Sequence, residues 1–129
     1  KLLIVEGASI LVLQKKKVKK RFVLAGGFLK KREFAEGGLI REVYEETGVR
    51  LTIENIKYYA SSTRVDSNKN AVTRYYFILV KNGQKFKNKE PNKFKSLKWV
   101  KWTEVIKFIN PSDKNVIKHL FNGNPKYYT

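Results

Sequence analysis

The chain has 129 residues, of which 42% are hydrophobic and 13% aromatic, and its formal net charge is +17 at pH 7. This length fits one domain, so we expect residues 1–129 to form a single domain with a buried core. The absence of cysteine excludes disulfides, thiolate metal centres and cysteine nucleophiles, and the lone histidine, His119, excludes a metal centre with several histidine ligands.

Hydropathy and charge bound the environment and the partners of the protein. No apolar run reaches the ~18 residues that a membrane-spanning helix needs. No signal peptide is visible, so we expect a soluble, cytoplasmic protein without membrane contact. The positive charge would draw polyanions toward the molecule, although a solvated lysine-rich surface explains the same excess. The sequence leaves open whether the protein is a monomer or a homodimer.

The first half of the chain predicts three strands and then a helix. The apolar runs that predict strands, the first two joined as a hairpin, are residues 1–5, 10–14 and 22–25. A basic run over residues 15–21 precedes the third strand, and Gly26 and Gly27 predict a turn after it. An acidic helix follows, and Gly48 is placed to end it in the left-handed conformation.

The second half predicts further strands and two helices. The predicted strands are residues 49–53, 56–62, 71–81 and 97–102. The third of these, AVTRYYFILVK, is the longest β signal, and its continuous apolar end predicts a central strand. A short helix over residues 103–109 would be capped by Thr103, and a final helix through Phe121 would be capped by Ser112 or Asp113.

Three glutamates on the acidic helix are candidate metal ligands. Glu42, Glu45 and Glu46 are spaced so that they share one exposed helix face within a single turn. Like charges this close repel, and a divalent cation is their natural partner because hard cations take carboxylate oxygens. Arg41 can pair with a neighbouring carboxylate, and backbone carbonyls at the glycine turn can add a ligand.

The spacing of these residues extends into a longer motif. Gly27 is followed after five residues by Glu33, and after seven more by the segment Arg41-Glu42-Val43-Tyr44-Glu45-Glu46-Thr47-Gly48-Val49. This pattern resembles the complete signature of the Nudix hydrolases. The order of elements is also similar to that family, which implies an α+β fold: a Nudix-type α/β/α sandwich with a mixed β-sheet and a catalytic loop-helix-loop.

The resemblance implies a Mg²⁺-dependent pyrophosphohydrolase that cleaves a nucleoside diphosphate linked to a further group, with Mn²⁺ as the alternative ion. Glu42 and Glu46 would be the firmest metal ligands. Glu45 would be a third ligand or the base that orients water. The Gly26 carbonyl would add a ligand, and Glu90 would complete the metal site or act as base.

Other positions are assigned to geometry and substrate binding. Glu33 and Arg41 would set the geometry of the catalytic glutamates. The candidates for contact with the nucleotide substrate are Arg21, Gly27 and Phe28. Further aromatic candidates for stacking on a base are Tyr75, Tyr76 and Trp99.

The substrate class rests on a weaker likeness. Glu90-Pro91, followed by the aromatic-rich residues 97–102, is similar to a segment in family members that hydrolyse nucleoside triphosphates. The proline that many ADP-ribose hydrolases carry after the signature is absent. We therefore expect cleavage of a nucleoside or deoxynucleoside triphosphate to the monophosphate and pyrophosphate. ADP-ribose, a dinucleoside polyphosphate and capped RNA are alternative substrates, and a non-catalytic RNA-binding or regulatory module is the alternative function.

Overall fold

The structure, a computed structural model, describes residues 1–16, 19–27, 30 and 32–123. Within these residues the chain forms six strands, numbered β1 (Leu2–Glu6), β2 (Ser9–Lys15), β3 (Phe22–Val23), β4 (Lys57–Val65), β5 (Ala71–Val80) and β6 (Phe94–Lys101). The α-helices of the same part are α1 (Ala35–Thr47), α2 (Trp102–Val105) and α3 (Pro111–Gly123). None of the helices in this described part combines the length and hydrophobicity that crossing a bilayer requires.

Strand β1 is buried on both of its faces. Residues 2–5 are all 0% exposed, and successive side chains of a strand point to opposite faces of the sheet. Leu3 and Val5 therefore enter one hydrophobic core, whereas Leu2 and Ile4 enter a second one. A continuous apolar run is typical of a strand covered on both sides. The predicted hairpin is confirmed, because β1 and β2 pair antiparallel.

The sheet is mixed. Its strand order is β3-β2-β1-β5-β4, and β6 also pairs with β2. β1 and β5 run parallel, with Leu2 opposite Phe77, whereas the other strand pairs in the described residues are antiparallel. Because β5 has a neighbour on each side, the prediction of a central strand over this segment is confirmed.

A helical layer covers each face of the sheet. On one face, Leu39 and Val43 of α1 belong to the core that contains Leu2 and Ile4. On the other face, the residues of α2 and α3 that enter the core are Val105, Val116, Ile117, Leu120 and Phe121. This arrangement confirms the predicted α/β/α sandwich, and it places the glutamates of α1 on the face opposite to α3.

The strand predicted over residues 49–53 is wrong. After Gly48 the chain is irregular and then forms a 3₁₀ turn, Ile53–Asn55, capped by reciprocal bonds between Thr52 and Asn55. Leu51 buries its side chain in the core beside α1 without joining the sheet. The apolar residues of this segment thus anchor a loop rather than form a strand. The side chain of Asn55 binds the backbone of Thr52, which in a strand would have bonded to a neighbouring strand.

The predicted helix caps near the C-terminus are also wrong. α2 begins at Trp102, one residue before the predicted cap Thr103. α3 is capped by Asn110 rather than by Ser112 or Asp113, since Asn110 Oδ1 accepts a hydrogen bond from the Asp113 N–H at 2.9 Å. Pro111 occupies the first helical position, where its missing N–H costs nothing.

Candidate active site

The glycine turn after β3 is held against the last turn of α1. Leu2 donates its N–H to the Ala25 carbonyl at 2.9 Å, which ties the start of the turn to β1. Gly26 has φ of +106°, and a Cβ there would lie 2.7 Å from Leu39 Cδ1, so this position requires glycine. The Gly26 N–H donates to Glu46 Oε1 at 2.8 Å in a buried environment. The turn and the helix therefore form one rigid unit.

Gly27 allows a second glutamate to approach the same turn. A Cβ at Gly27 would lie 2.9 Å from the carboxyl carbon and from Oε2 of Glu42. Any side chain at this position would displace the carboxylate. The two glycines of the turn thus meet two glutamates of α1, one by a hydrogen bond and one by close contact.

Helix α1 places its three glutamates in different environments. The helix ends as predicted at Gly48, which has φ of 76° and donates its N–H to the Tyr44 carbonyl. Glu46 is only 2% exposed, whereas the side chains of Glu42 and Glu45 are 17% and 47% exposed. The expectation of one exposed helix face is therefore wrong for Glu46, because the glycine turn and the neighbouring loop cover it.

Arg41 links the remaining glutamates of the motif. Its Nε and Nη2 donate to the two carboxylate oxygens of Glu33 at 2.7 and 3.0 Å. Its Nη1 donates to Glu42 Oε1 at 2.9 Å and to Glu45 Oε1 at 3.0 Å. The bond from Arg41, with a second from the Lys30 N–H, lowers the pKa of Glu33 to about 2. The pKa of Arg41 is raised, chiefly by Glu33, so this pair stays ionised.

Burial dominates the electrostatics of Glu46. Desolvation raises the pKa of its carboxyl from 4.5 to about 7, although the Gly26 N–H and the charge of Lys1 act in the opposite direction. The nearby charge of Glu42 adds to the increase. Glu46 and Glu42 are therefore close enough to interact, and a cation between them would favour the ionised form of Glu46.

The loop that carries Glu90 is fastened to the end of α1. The N–H groups of Lys87 and Lys89 donate to the carbonyls of Thr47 and Glu46 at 3.0 and 2.9 Å. Asn88 Oδ1 accepts a hydrogen bond from the Glu90 N–H at 3.0 Å, which fixes the backbone of the loop. Glu90 itself is half-buried. The fold thus brings Glu90 to the same end of the helix as Glu46. The two residues lie far apart in the sequence, so no local sequence pattern reveals that they are neighbours.

A cleft of about 310 Å³ opens beside the glycine turn. Gly27 and the first half of α1 form one wall, and the ends of β4 and β5 form the other. Lys1, Arg64 and Arg74 line the cleft, and Arg74 is paired with Asp113 at 3.3 Å. Tyr75 presents an aromatic ring that is 44% exposed. Lys1, Arg64 and Arg74 were not identified from the sequence. The available signal was a single arginine in each of the strands β4 and β5, whose other residues are uncharged apart from Lys57 at the start of β4.

Lys1 lies next to the carbonyl of the glycine turn. Its Nζ donates to the Gly26 oxygen at 3.4 Å, a long and weak hydrogen bond. Burial lowers the pKa of this ammonium group. The Gly26 carbonyl therefore offsets only part of the cost of burying this cation.

Other predicted substrate-binding residues lie elsewhere. Arg21 lines a second groove together with Lys107 and Pro111, on the face covered by α2 and α3. Tyr76 is fully buried and donates its hydroxyl to Asp113, and Trp99 packs edge-on against Phe86. Phe28 lies outside the described residues. Of the aromatic candidates that the structure describes, Tyr75 is the one that lines the cleft.

The donor atoms suit a hard divalent cation. Glu42, Glu46 and the Gly26 carbonyl offer oxygen ligands at one turn. The Glu42 carboxylate packs so closely against Gly27 that no larger residue fits at position 27. Among the described residues, no three His, Cys, Asp or Glu side chains already surround a common point.

Comparisons with known proteins identify the family and the fold. The NUDIX domain model matches residues 2–120. Among solved structures, the MutT NUDIX hydrolase from Burkholderia pseudomallei is similar, with a TM-score of 0.75 and 18% identity over 91% of this chain and 92% of that one. The dihydroneopterin triphosphate pyrophosphohydrolase from E. coli has a TM-score of 0.73 and 16% identity, covering 95% of this chain and 94% of that one.

A third similar structure is a binary complex of the Ap4A hydrolase from C. elegans. Its TM-score is 0.66 at 16% identity, with 95% of this chain and 94% of that one covered. No curated protein matches the sequence at a significant level. At these identities the structural likeness establishes the fold, and the domain match establishes the family. The chain belongs to the NUDIX family, and it is a Nudix pyrophosphohydrolase.

Proposed function

We propose that the protein hydrolyses nucleoside or deoxynucleoside triphosphates to the monophosphate and pyrophosphate in the presence of Mg²⁺. The observation that carries this proposal is the position of the acidic helix: its glutamates meet the glycine turn at the mouth of a cleft whose walls carry Lys1, Arg64 and Arg74. The substrate phosphates would lie between the cationic side chains of the cleft and a metal ion bound by the glutamates.

In this proposal Glu42, Glu46 and the Gly26 carbonyl hold the metal ion. When bound, Mg²⁺ neutralises phosphate charge and lowers the pKa of a coordinated water. Glu45, the most exposed of the three helix glutamates, supplies a further ligand or orients the attacking water. Glu90 completes the site or acts as base, a role supported by the bond that fixes its loop to the Glu46 carbonyl.

Glu33 and Arg41 act on position rather than on substrate. The bidentate contact between them fixes the guanidinium, and the guanidinium in turn holds Glu42 and Glu45 before metal binds. This arrangement relieves the repulsion among the glutamates in the metal-free enzyme. It also keeps the carboxylates of Glu42 and Glu45 close to where the metal is needed.

The cleft supports binding of the rest of the nucleotide. Tyr75 offers a surface on which a base can stack, and the cationic walls suit a chain of three phosphates. The name of the E. coli relative, a triphosphate pyrophosphohydrolase, favours the same class, whereas that of the C. elegans relative favours a dinucleoside polyphosphate. The Glu90-Pro91 segment and the aromatic strand β6 support the triphosphate.

A substrate panel tests the proposal. The protein is incubated with Mg²⁺ and, in turn, with each nucleoside triphosphate, ADP-ribose, a dinucleoside polyphosphate and a capped RNA fragment, and the products are identified. We expect the highest kcat/KM for triphosphates, with pyrophosphate as product. A kcat/KM for ADP-ribose or the dinucleotide more than about tenfold above every triphosphate, ~1.4 kcal/mol in transition-state binding, would contradict it.

The same panel separates catalysis from a purely binding role. Glu46→Gln serves as the matched control, because it keeps the shape of the side chain and its capacity to accept the Gly26 hydrogen bond while removing the charge. We expect turnover to fall by about 10³-fold, the equivalent of ~4 kcal/mol. Wild-type protein that turns over no substrate in the panel would favour the binding module instead.

A further inference from the structure

A basic groove lies on the face of the sheet opposite to the active site. We use this name for the groove whose cations are Lys19, Lys20, Arg21 and Lys107. Its floor contains Phe108 and Ile109, which pack against the core beneath α3 rather than the core beneath α1. The groove is open and has a volume of about 430 Å³. None of its residues lines the cleft beside Gly27.

Hydrogen bonds fix the two sides of the basic groove relative to each other. The N–H of Phe22, which follows Arg21, donates to the Phe108 carbonyl at 2.8 Å. The next residues, Asn110 and Pro111, form the capped start of the 13-residue helix α3. The N-terminal end of a helix carries a partial positive charge. It therefore adds to the charge of the side chains on both walls.

Most of the cations of this surface lack an acidic partner within the part of the chain that the structure describes. Among the residues that the structure describes, Lys19, Lys20 and Arg21 form no ion pair, and Lys107 has one exposed pair with Glu104. Lys20 instead lies 4.4 Å from the centroid of the Phe108 ring. Ammonium and guanidinium groups gathered around a helix N-terminus repel one another, and a polyanion would relieve this repulsion.

We propose that the basic groove binds the phosphate backbone of a single-stranded nucleic acid, at a site separate from the catalytic cleft. A concave row of cations tracks a chain of phosphates, which is how single strands are bound without sequence preference. An anionic membrane is a poorer fit, because the large exposed hydrophobic side chains among the described residues lie elsewhere: Phe34, Tyr44, Ile53, Tyr58, Val65, Tyr75 and Val80. A membrane-binding face would need such residues beside its lysines.

The position of the groove has a consequence for the enzyme. Because α1 and α3 cover opposite faces of the sheet, a nucleic acid bound in the basic groove leaves the cleft open for a small nucleotide. Nucleic-acid binding and nucleotide hydrolysis should therefore be independent, and neither should compete with the other.

Fluorescence anisotropy with a 5′-labelled 12-nucleotide oligouridylate tests this site. EDTA is present, so that no metal-dependent turnover occurs. The test variant replaces Lys19, Lys20 and Lys107 by Gln. The matched control makes the same charge change at exposed lysines outside the groove, Lys57, Lys85 and Lys118. For a single-stranded nucleic acid, each phosphate contact contributes about 0.7 to the steepness of log K against log salt concentration.

The basic groove predicts different behaviour of the two variants. The groove variant should bind at least tenfold more weakly at low salt, and its salt slope should flatten by about 2, the value for three lost contacts. The control should stay within about threefold of wild type. Replacing the same three groove lysines by Arg should preserve binding, since the charge remains. A DNA oligomer of the same length should bind with a similar affinity, because the groove contacts the phosphates and not the sugar.

Several outcomes would overturn the proposal. Equal losses in the groove variant and the control would assign binding to net charge alone, and absence of oligonucleotide binding would remove the site. Groove-dependent binding to phosphatidylserine vesicles that exceeds binding to the oligonucleotide would make the partner a membrane. Both Gln variants should keep the wild-type melting temperature and nucleotide hydrolysis. If the triple variant unfolds, the single exposed change Lys107→Glu must still weaken oligonucleotide binding.

Discussion

The burial of Glu46 predicts an unusual stability difference for Glu46→Gln. In the folded protein the pKa of this carboxyl is raised from 4.5 to about 7. Each tenfold change in an ionisation constant corresponds to about 1.4 kcal/mol, so ionised Glu46 costs the metal-free protein about 3 kcal/mol relative to the protonated form. Glutamine keeps the acceptor for the Gly26 N–H and does not ionise. We therefore expect the variant to be more stable than wild type at pH 8, by up to ~3 kcal/mol.

The pH dependence of this effect follows from the direction of the change. Because folding raises the pKa, the folded state holds the proton more tightly, and the associated stability is fully present below pH 4.5. It is lost as the pH rises toward about 7 and stays lost above that value. The free energy of unfolding of wild type should therefore fall over this window relative to that of Glu46→Gln, whereas below pH 4.5 the two should agree.

Urea denaturation in EDTA between pH 4 and 8.5 measures the difference directly. Comparing the two proteins at each pH cancels the titration of every other group. Glu45→Gln is the control for replacing a carboxylate of the same helix by an amide, since that side chain is 47% exposed. Added Mg²⁺ should stabilise wild type at pH 8 more than at pH 5.5, because the metal takes the ionised carboxylate. Parallel stability curves for wild type and Glu46→Gln would refute the assignment of a buried, desolvated carboxyl.

Two further substitutions, each with a control variant, test other parts of the structure. Gly27→Ala places a Cβ 2.9 Å from the Glu42 carboxylate, so kcat/KM should fall by about 10²-fold through displacement of that group. Gly37→Ala, where a Cβ meets nothing within 4 Å, should keep activity and add up to ~1 kcal/mol of helix stability; equal activities of the two variants would exclude the close contact. Asp113→Ala removes a 0% exposed acceptor of bonds from Arg74, Tyr76 and Asn110, and denaturation should show a loss of about 3 kcal/mol. Glu104→Ala, which breaks an exposed pair with Lys107, should cost below ~1 kcal/mol, and a similar cost for both would contradict the buried network.

The fold illustrates which sequence patterns are reliable. The hairpin, the central strand β5 and the helix that ends at Gly48 are all predictable, because each has a strong local cause: a continuous apolar run, a β-branched and aromatic run, and a glycine in the left-handed conformation. Residues 49–53 and the caps of α2 and α3 are not. Their conformations depend on single side chains, such as Asn55 and Asn110, that compete with weak patterns.

For the candidate site, the sequence alone determines the motif, since the spacing of Glu42, Glu45 and Glu46 along a helix is a matter of local geometry. Only the tertiary structure decides that these carboxylates differ. Gly26 and the loop before Glu90 arrive from distant parts of the chain and bury Glu46, while Arg41 and solvent surround Glu45. The cleft and the basic groove likewise join segments that lie far apart in sequence. Burial, and with it the pKa of a carboxyl, depends on what packs against a helix, and no periodicity within the helix contains that information.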